Sequence, residues 1–161
     1  MAKGNGAAAP RFLFDRMLGR LCRKVRMLGI DCELAGEGRS PWLLTDAENA
    51  LRTAVTTATR RLDRAGPPPI VLAPSGTADM IAELCRKAGL EPDFAPFTLC
   101  LECNAPLREI APEQARPRVP ERIARDFSEF HECAVCGRVY WKGSHYDAMA
   151  AQVEKILERI T

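Results

Sequence analysis

Two C-x-x-C pairs constrain this chain more than any other feature. Cys100 and Cys103 lie in TLCLECN, and Cys133 and Cys136 lie in HECAVCGRVYWKGSHYDAM. One such pair is ambiguous, because redox motifs share it. Two pairs separated by a stretch of chain point to a tetrahedral site, in which each tight turn offers two thiolates to one side. Soft sulfur donors in that geometry favour Zn²⁺, with iron the lesser alternative. Four thiolates fill the coordination sphere, so the ion would brace the fold and leave no position for water or substrate. Gly137, directly after the second pair, supplies the positive φ such a turn needs. Two disulfides are the other arrangement open to these residues, and they belong to an oxidising compartment. The total of seven cysteines is odd, which speaks against a disulfide framework. Cys22, Cys32 and Cys85 sit in apolar patterns and read as small buried hydrophobes.

At 161 residues the chain is one domain, or one domain with a small module appended. A formal net charge of +2 neither favours nor excludes a nucleic-acid partner, so the local placement of charge has to decide. No stretch is long and apolar enough to span a bilayer as a helix, and no membrane partner is expected. Residues 1–9 have no apolar segment of the secretory kind and read as a disordered lead-in, with the cytoplasm as the expected location.

Taken in order, residues 11–15 (RFLFD) read as a short buried strand ending in Asp15. A helix follows, with Leu18, Leu21, Cys22, Val25 and Leu28 at helical spacing. Arg16, Arg20, Arg23, Lys24 and Arg26 lie mostly away from that face, and Gly29 ends the helix. A second strand is expected near 32–34, a loop over 35–41, and a third strand at 42–45 (WLLT) followed at once by Asp46. A long helix is expected over about 47–65, with Leu51, Val55, Ala58 and Leu62 on one face, stopped by the run GPPP. Residues 70–73 (IVLA) form a fourth strand, and 78–87 a helix with Met80, Ile81, Leu84 and Cys85 inward. This alternation implies an α/β fold with a parallel sheet flanked by helices. Ligands bind at the C-terminal edge of such sheets, which places Asp15 and Asp46 on one rim. Further on, 108–125 reads as an extended basic arm between the cysteine pairs and 139–141 as a strand. Ser144 is an N-cap with Asp147 as its capping-box acid, opening a last helix that docks through Met149, Val153, Ile156, Leu157 and Ile160.

RFLFDRMLGRLCRKVRMLGIDCEL, WLLT, CLECNAPL and CAVCGRVYWKGSHYDAM together resemble the C-terminal ribonuclease domain of the Mut-seven proteins, a family also found as small stand-alone bacterial proteins. The resemblance runs over nearly the whole chain after Ala9. It implies a PIN-like nuclease core followed by a four-cysteine zinc ribbon. It also implies a ribonuclease whose acidic residues hold Mg²⁺ or Mn²⁺ at the sheet edge. Asp15 matches the first acid of the family. The chain departs from the pattern elsewhere. AGEGRSP stands where the family carries an acidic helix, Asp46 falls one position before the next acid, and Asp79 is the one acid after the fourth strand.

Each of these residues has a second reading. Asp15 and Asp46 are also good helix caps, and Asp79 also suits a helix dipole. Arg16, Arg20 and Arg23 start beside Asp15, where a substrate would sit, and arginine binds phosphate bidentately. Arg138, Lys142 and His145 lie with Trp141 and Tyr146 in an aromatic, basic stretch suited to single-stranded RNA. The expected organisation is a lead-in over 1–9, a PIN-like core over 10–96, a zinc ribbon over 97–145 and a docking helix over 146–161. The expected function is a metal-dependent ribonuclease acting on single-stranded RNA, with Asp15 and Asp46 at the catalytic metal. The alternative is a degenerate module that binds RNA or a protein partner without cutting.

Overall fold

The computed structural model describes residues 10–36, 47, 51–59, 68–91 and 93–160. The lead-in, the strand expected at 42–45, Asp46 and the basic end of the helix expected over 47–65 lie outside the described residues.

Four parallel strands form the first sheet: β1 (Phe12–Phe14), β2 (Cys32–Leu34), β3 (Thr53–Thr56) and β4 (Ile70–Val71), in the order β2-β1-β3-β4. β1 is central and buried at all three positions, as an apolar strand covered on both faces must be. A 3-10 turn (Arg16–Leu18) and helix α1 (Gly19–Met27) connect β1 to β2. The chain then crosses to the other side of β1 to place β3, so the direction of winding reverses at β1. β4 is followed by α2 (Thr77–Ala88), which ends on Gly89 at φ +63°. Its inward residues are the four expected, Met80, Ile81, Leu84 and Cys85.

Two expectations fail here. The stretch read as a helix through Leu51, Val55 and Ala58 contains β3. Its apolar spacing was compatible with a helix, but Thr53, Val55 and Thr56 are β-branched and pair in register with β1, Thr53 opposite Phe12 and Val55 opposite Phe14. Leu51 has φ +52° and is 83% exposed, the reverse of a helix-face residue. Arg26, expected to lie mostly away from the apolar face of α1, is buried.

The second sheet is antiparallel: β5 (Leu107–Ile110), β6 (Phe130–Cys133) and β7 (Val139–Tyr140). The interval expected to be an extended arm is folded instead. It holds most of β5, then α3 (Pro112–Ala115), a 3-10 turn and α4 (Glu121–Asp126). Pro112 begins α3, where a missing N–H costs nothing, and Pro120 precedes α4, so the prolines punctuate short helices. Ile110, Ala115 and Phe130 form a small core there, with Ile123, Phe127, Val139 and Trp141 against it.

Helix α5 (Ser144–Ile160) closes the chain. Its first turn bonds to the Gly143 carbonyl, from Tyr146 N at 2.9 Å and Asp147 N at 3.2 Å, so Ser144 is the first helical residue and not the cap. Val153 and Ile156 enter the main core with Phe12, Phe14, Val25, Ile81 and Leu84, and Met149, Leu157 and Ile160 pack at its margin. Gly29 admits a close crossing: a Cβ there would lie 2.1 Å from the Ala95 carbonyl oxygen, and its φ is +82°. This lets Phe97 N bond to Met27 O at 3.0 Å, seating the segment that leads to the first cysteine pair.

Candidate functional site

The two cysteine pairs sit on two copies of one turn. In the first, Asn104 N bonds to Cys100 O at 2.9 Å and Cys100 N to Ala105 O at 2.8 Å. In the second, Gly137 N bonds to Cys133 O at 2.8 Å and Cys133 N to Arg138 O at 3.0 Å. Asn104 and Gly137 occupy the same place with φ +62° and +73°. Glycine and asparagine are the residues that tolerate this conformation most readily.

The turns face each other, and the ligand atoms of Cys100, Cys103, Cys133 and Cys136 all lie within 4.8 Å of one another. The sulfurs are 3.4 Å apart for Cys100–Cys103, 3.2 Å for Cys103–Cys133 and 3.7 Å for Cys100–Cys136. A tetrahedron with zinc–sulfur bonds of about 2.3 Å has edges of about 3.8 Å, whereas a disulfide is about 2.05 Å long. The set fits a zinc ion held by four thiolates, and none of the four is paired as a disulfide.

Surrounding groups tune and lock this cage. The Tyr140 hydroxyl lies 3.1 Å from Cys100 Sγ. Burial opposes ionisation of Cys100, but hydrogen bonds from Tyr140 and from the backbone N–H groups of Cys103 and Glu102 outweigh it and bring its pKa down to about 6. Arg118 donates to Gly137 O and to Glu132, each at 2.5 Å, tying the second turn to β6. The first turn is tied to the parallel sheet. Buried Arg26 donates to Cys32 O at 2.9 Å, Leu101 O at 2.9 Å and Glu102 O at 2.8 Å. Asn104 accepts from Cys32 N at 3.1 Å and donates to Asp31 at 2.6 Å.

A second site lies at the C-terminal edge of the parallel sheet. Asp15 follows β1, where the winding reverses and a crevice opens in folds of this kind. It is buried, 7% exposed. Its backbone N–H bonds to Val55 O at 2.8 Å, which carries β1 pairing one residue further along β3. Its carboxylate accepts from Thr56 Oγ1 at 3.0 Å and, at 3.5 Å, from Met17 N at the start of the 3-10 turn. Asp15 is therefore both a cap and a carboxylate fixed at the edge. Asp79 lies in the first turn of α2, after the C-terminal end of β4, and pairs with Arg159 of α5 at 2.8 Å. Among the described residues no three acidic side chains gather around Asp15.

The basic residues fall into two places. Arg16, Arg20 and Arg23 are exposed along one side of the first helical segment. Arg23 and Arg138 line one groove with Glu102 and Tyr140, and Arg23 pairs with Glu102 at 2.5 Å. Lys142 pairs with Glu129 at 3.0 Å, and His145 is exposed at the start of α5. Reading the sequence missed Thr56, Tyr140 and the anchoring arginines Arg26 and Arg118. The β-branched run TAVTT was the available signal for a strand that would carry Thr56 to the edge; nothing local in the sequence marks the other three.

Together these features define an α/β chain with a carboxylate at the reversal point of a parallel sheet and a sulfur cage in an antiparallel one. The family model described as Mut7-C RNAse domain matches residues 10–153, most of the chain, and the chain belongs to that family. No curated protein and no solved structure matches it. Among the described residues no helix is long and apolar enough to cross a membrane.

Proposed function

We propose that this chain is a PIN-like, metal-dependent ribonuclease acting on single-stranded RNA, with the four cysteines as a structural zinc site. The observation that carries the reading is the position of Asp15: a buried carboxylate at the sheet edge where the strand order reverses, hydrogen-bonded by Thr56, beside a helix with exposed arginines. Asp15, with Asp46, would hold Mg²⁺ or Mn²⁺, whose hard character suits carboxylate oxygen. When bound there, such an ion would supply water activation and offset charge developing on the phosphate. The chain itself orients the strand. Arg16, Arg20 and Arg23 grip phosphates leading away from Asp15, and Arg138, Lys142 and His145 extend that contact onto the antiparallel sheet.

Asp15→Asn tests this, because asparagine keeps the cap and the shape while removing the charge. Manganese-dependent cleavage of single-stranded RNA should fall at least about a hundredfold, with the melting temperature little changed. Equal cleavage by the variant would refute the role of Asp15. A second reading, an RNA-binding module that does not cut, draws on the pairing of Asp79 with Arg159 and on the lack of three converging acids among the described residues. Its signature is salt-sensitive RNA binding with no turnover under any divalent metal.

A further inference from the structure

A cleft of about 490 Å³ opens between α4, β7 and the start of α5, and of its lining the phosphate path proposed above uses His145 alone. Phe127, Tyr140, Trp141 and Tyr146 line it, with Arg122 and His145 beside them. Trp141 and Tyr146 also line a neighbouring cleft of about 360 Å³, onto which Lys142 opens. Both rings are held in place. Tyr146 packs on Phe97 with ring centroids 4.6 Å apart. Trp141 lies over Gly143, where a Cβ would come within 3.0 Å of the indole nitrogen and 3.7 Å of the Phe127 ring. Gly143 thus leaves room for the Trp141 and Phe127 rings beside one turn. Tyr140 connects this cleft to the Arg23–Arg138 groove, since it lines both.

We propose that this cleft seats one unstacked base of a single-stranded RNA, held between aromatic faces. The inference rests on the RNA-binding reading given above and adds a base site to its phosphate path. The volume suits a small planar group. Stacking on aromatic rings accepts any base, because every base presents a π face. Charge at the two clefts is largely paired: Arg122 with Asp126 at 3.6 Å on this one, and Lys142 with Glu129 at 3.0 Å on its neighbour. Capture there depends on stacking more than on electrostatics, and the phosphates on either side fall to Arg138 and the arginines of the first helix.

The chain has two tryptophans, so Trp42→Phe leaves Trp141 as the sole reporter. That variant is titrated with a short oligouridylate and with an abasic oligomer of the same length. The expected result is a saturable change in Trp141 emission with the oligouridylate alone. On the unsubstituted chain, removing the bases should weaken binding about tenfold or more. Ultraviolet crosslinking of a 5-iodouridine oligomer to the same unsubstituted chain should map to the peptide carrying Trp141 and Tyr146. Oligouridylate binding with silent Trp141 emission, equal affinity for the abasic oligomer, or a crosslink confined to other peptides would overturn the base site while leaving RNA binding intact. If neither oligomer binds, the RNA-binding reading falls and the base site falls with it.

Discussion

The sulfur cage and the Asp15 edge are built on opposite principles. Each cysteine turn delivers two ligands from four consecutive residues, so the cage needs two local motifs and one antiparallel pairing. The edge is assembled from distant parts: Asp15 and the Thr56 hydroxyl that holds it are 41 residues apart. They meet because β3 crosses to the far side of β1. A locally encoded site tolerates change elsewhere in the chain and fails when its own ligands fail. A topologically encoded site is sensitive to anything that shifts the register of the sheet.

Metal removal gives the largest effect and the sharpest contrast. Structural zinc sites contribute about 10–16 kcal/mol of apparent binding free energy near neutral pH, much of it folding energy. Stripping the ion, or Cys133→Ser, should therefore melt β5, β6 and β7 together, read as lost amide protection over residues 98–141. Protection across β1 and β3 should survive, and elemental analysis of the untreated chain should give one zinc. Full protection of the antiparallel sheet after the metal is gone would show that its small core around Phe130 suffices and that the cage adds little.

Arg26→Leu comes next and asks how separate the two regions are. Arg26 satisfies one carbonyl of β2 and two of the first cysteine turn from a buried position. Hydrogen bonds from a charged donor contribute about 1.5–3 kcal/mol each, and stranded carbonyls add to the cost. Burial of the leucine side chain offsets part of that sum, so denaturant unfolding should show a loss of about 3–5 kcal/mol, together with faster zinc release to a chelator. A loss of stability with unchanged zinc release would mean that the cage holds its shape without the sheet beneath it.

The same contrast governs what was legible in the sequence. The cage was readable because its geometry lives in a short pattern, C-x-x-C followed by a residue that accepts positive φ. Gly137 marks its turn plainly, whereas its counterpart Asn104 is a weaker signal, asparagine being the second choice at such a position. The apolar faces of α1 and α2 were readable from spacing, and β1, β2 and β4 from brief apolar runs ending in turn residues. β3 was not, because Leu51, Val55 and Ala58 mimic helical spacing; the β-branched run TAVTT points the other way, and the register with β1 decides for it. The folded interval between the cysteine pairs was hidden because its helices are a turn or two long, too short for periodicity to show. Arg26 and Arg118 are hidden for a related reason: a charged residue marks an exposed face until its carbonyl partners are known.

Thr56→Val probes the edge at lower cost. It keeps the β-branched shape that suits β3 and removes one hydroxyl. Stability should fall by about 1 kcal/mol. Asp15 then loses one of the donors that orient it, so cleavage should drop about tenfold or more, as for groups that orient metal ligands elsewhere. Thr56→Ser should restore both. Lost stability without lost cleavage would assign Thr56 to the fold alone and weaken the case for Asp15 as a metal ligand.

The smallest expected effect concerns Asp31, where sheet and cage touch. Partial burial opposes its charge, but Arg52 at 2.7 Å, Asn104 at 2.6 Å and Arg11 at 3.1 Å outweigh that and hold its carboxyl below the usual range. The folded pKa therefore lies below the unfolded value of about 3.9. The stabilisation is complete above that value and is lost as pH falls through the depressed folded pKa. Asp31→Asn should then be less stable than the unsubstituted chain at neutral pH, by no more than about 1 kcal/mol because the side chain is more than a third exposed. Melting temperatures taken from pH 6 downward should converge below about pH 4 as the native carboxylate protonates. A gap that stays constant across that range would mean that Asp31 acts through shape and neutral hydrogen bonding, and that the contact between the first cysteine turn and β2 carries no charge component.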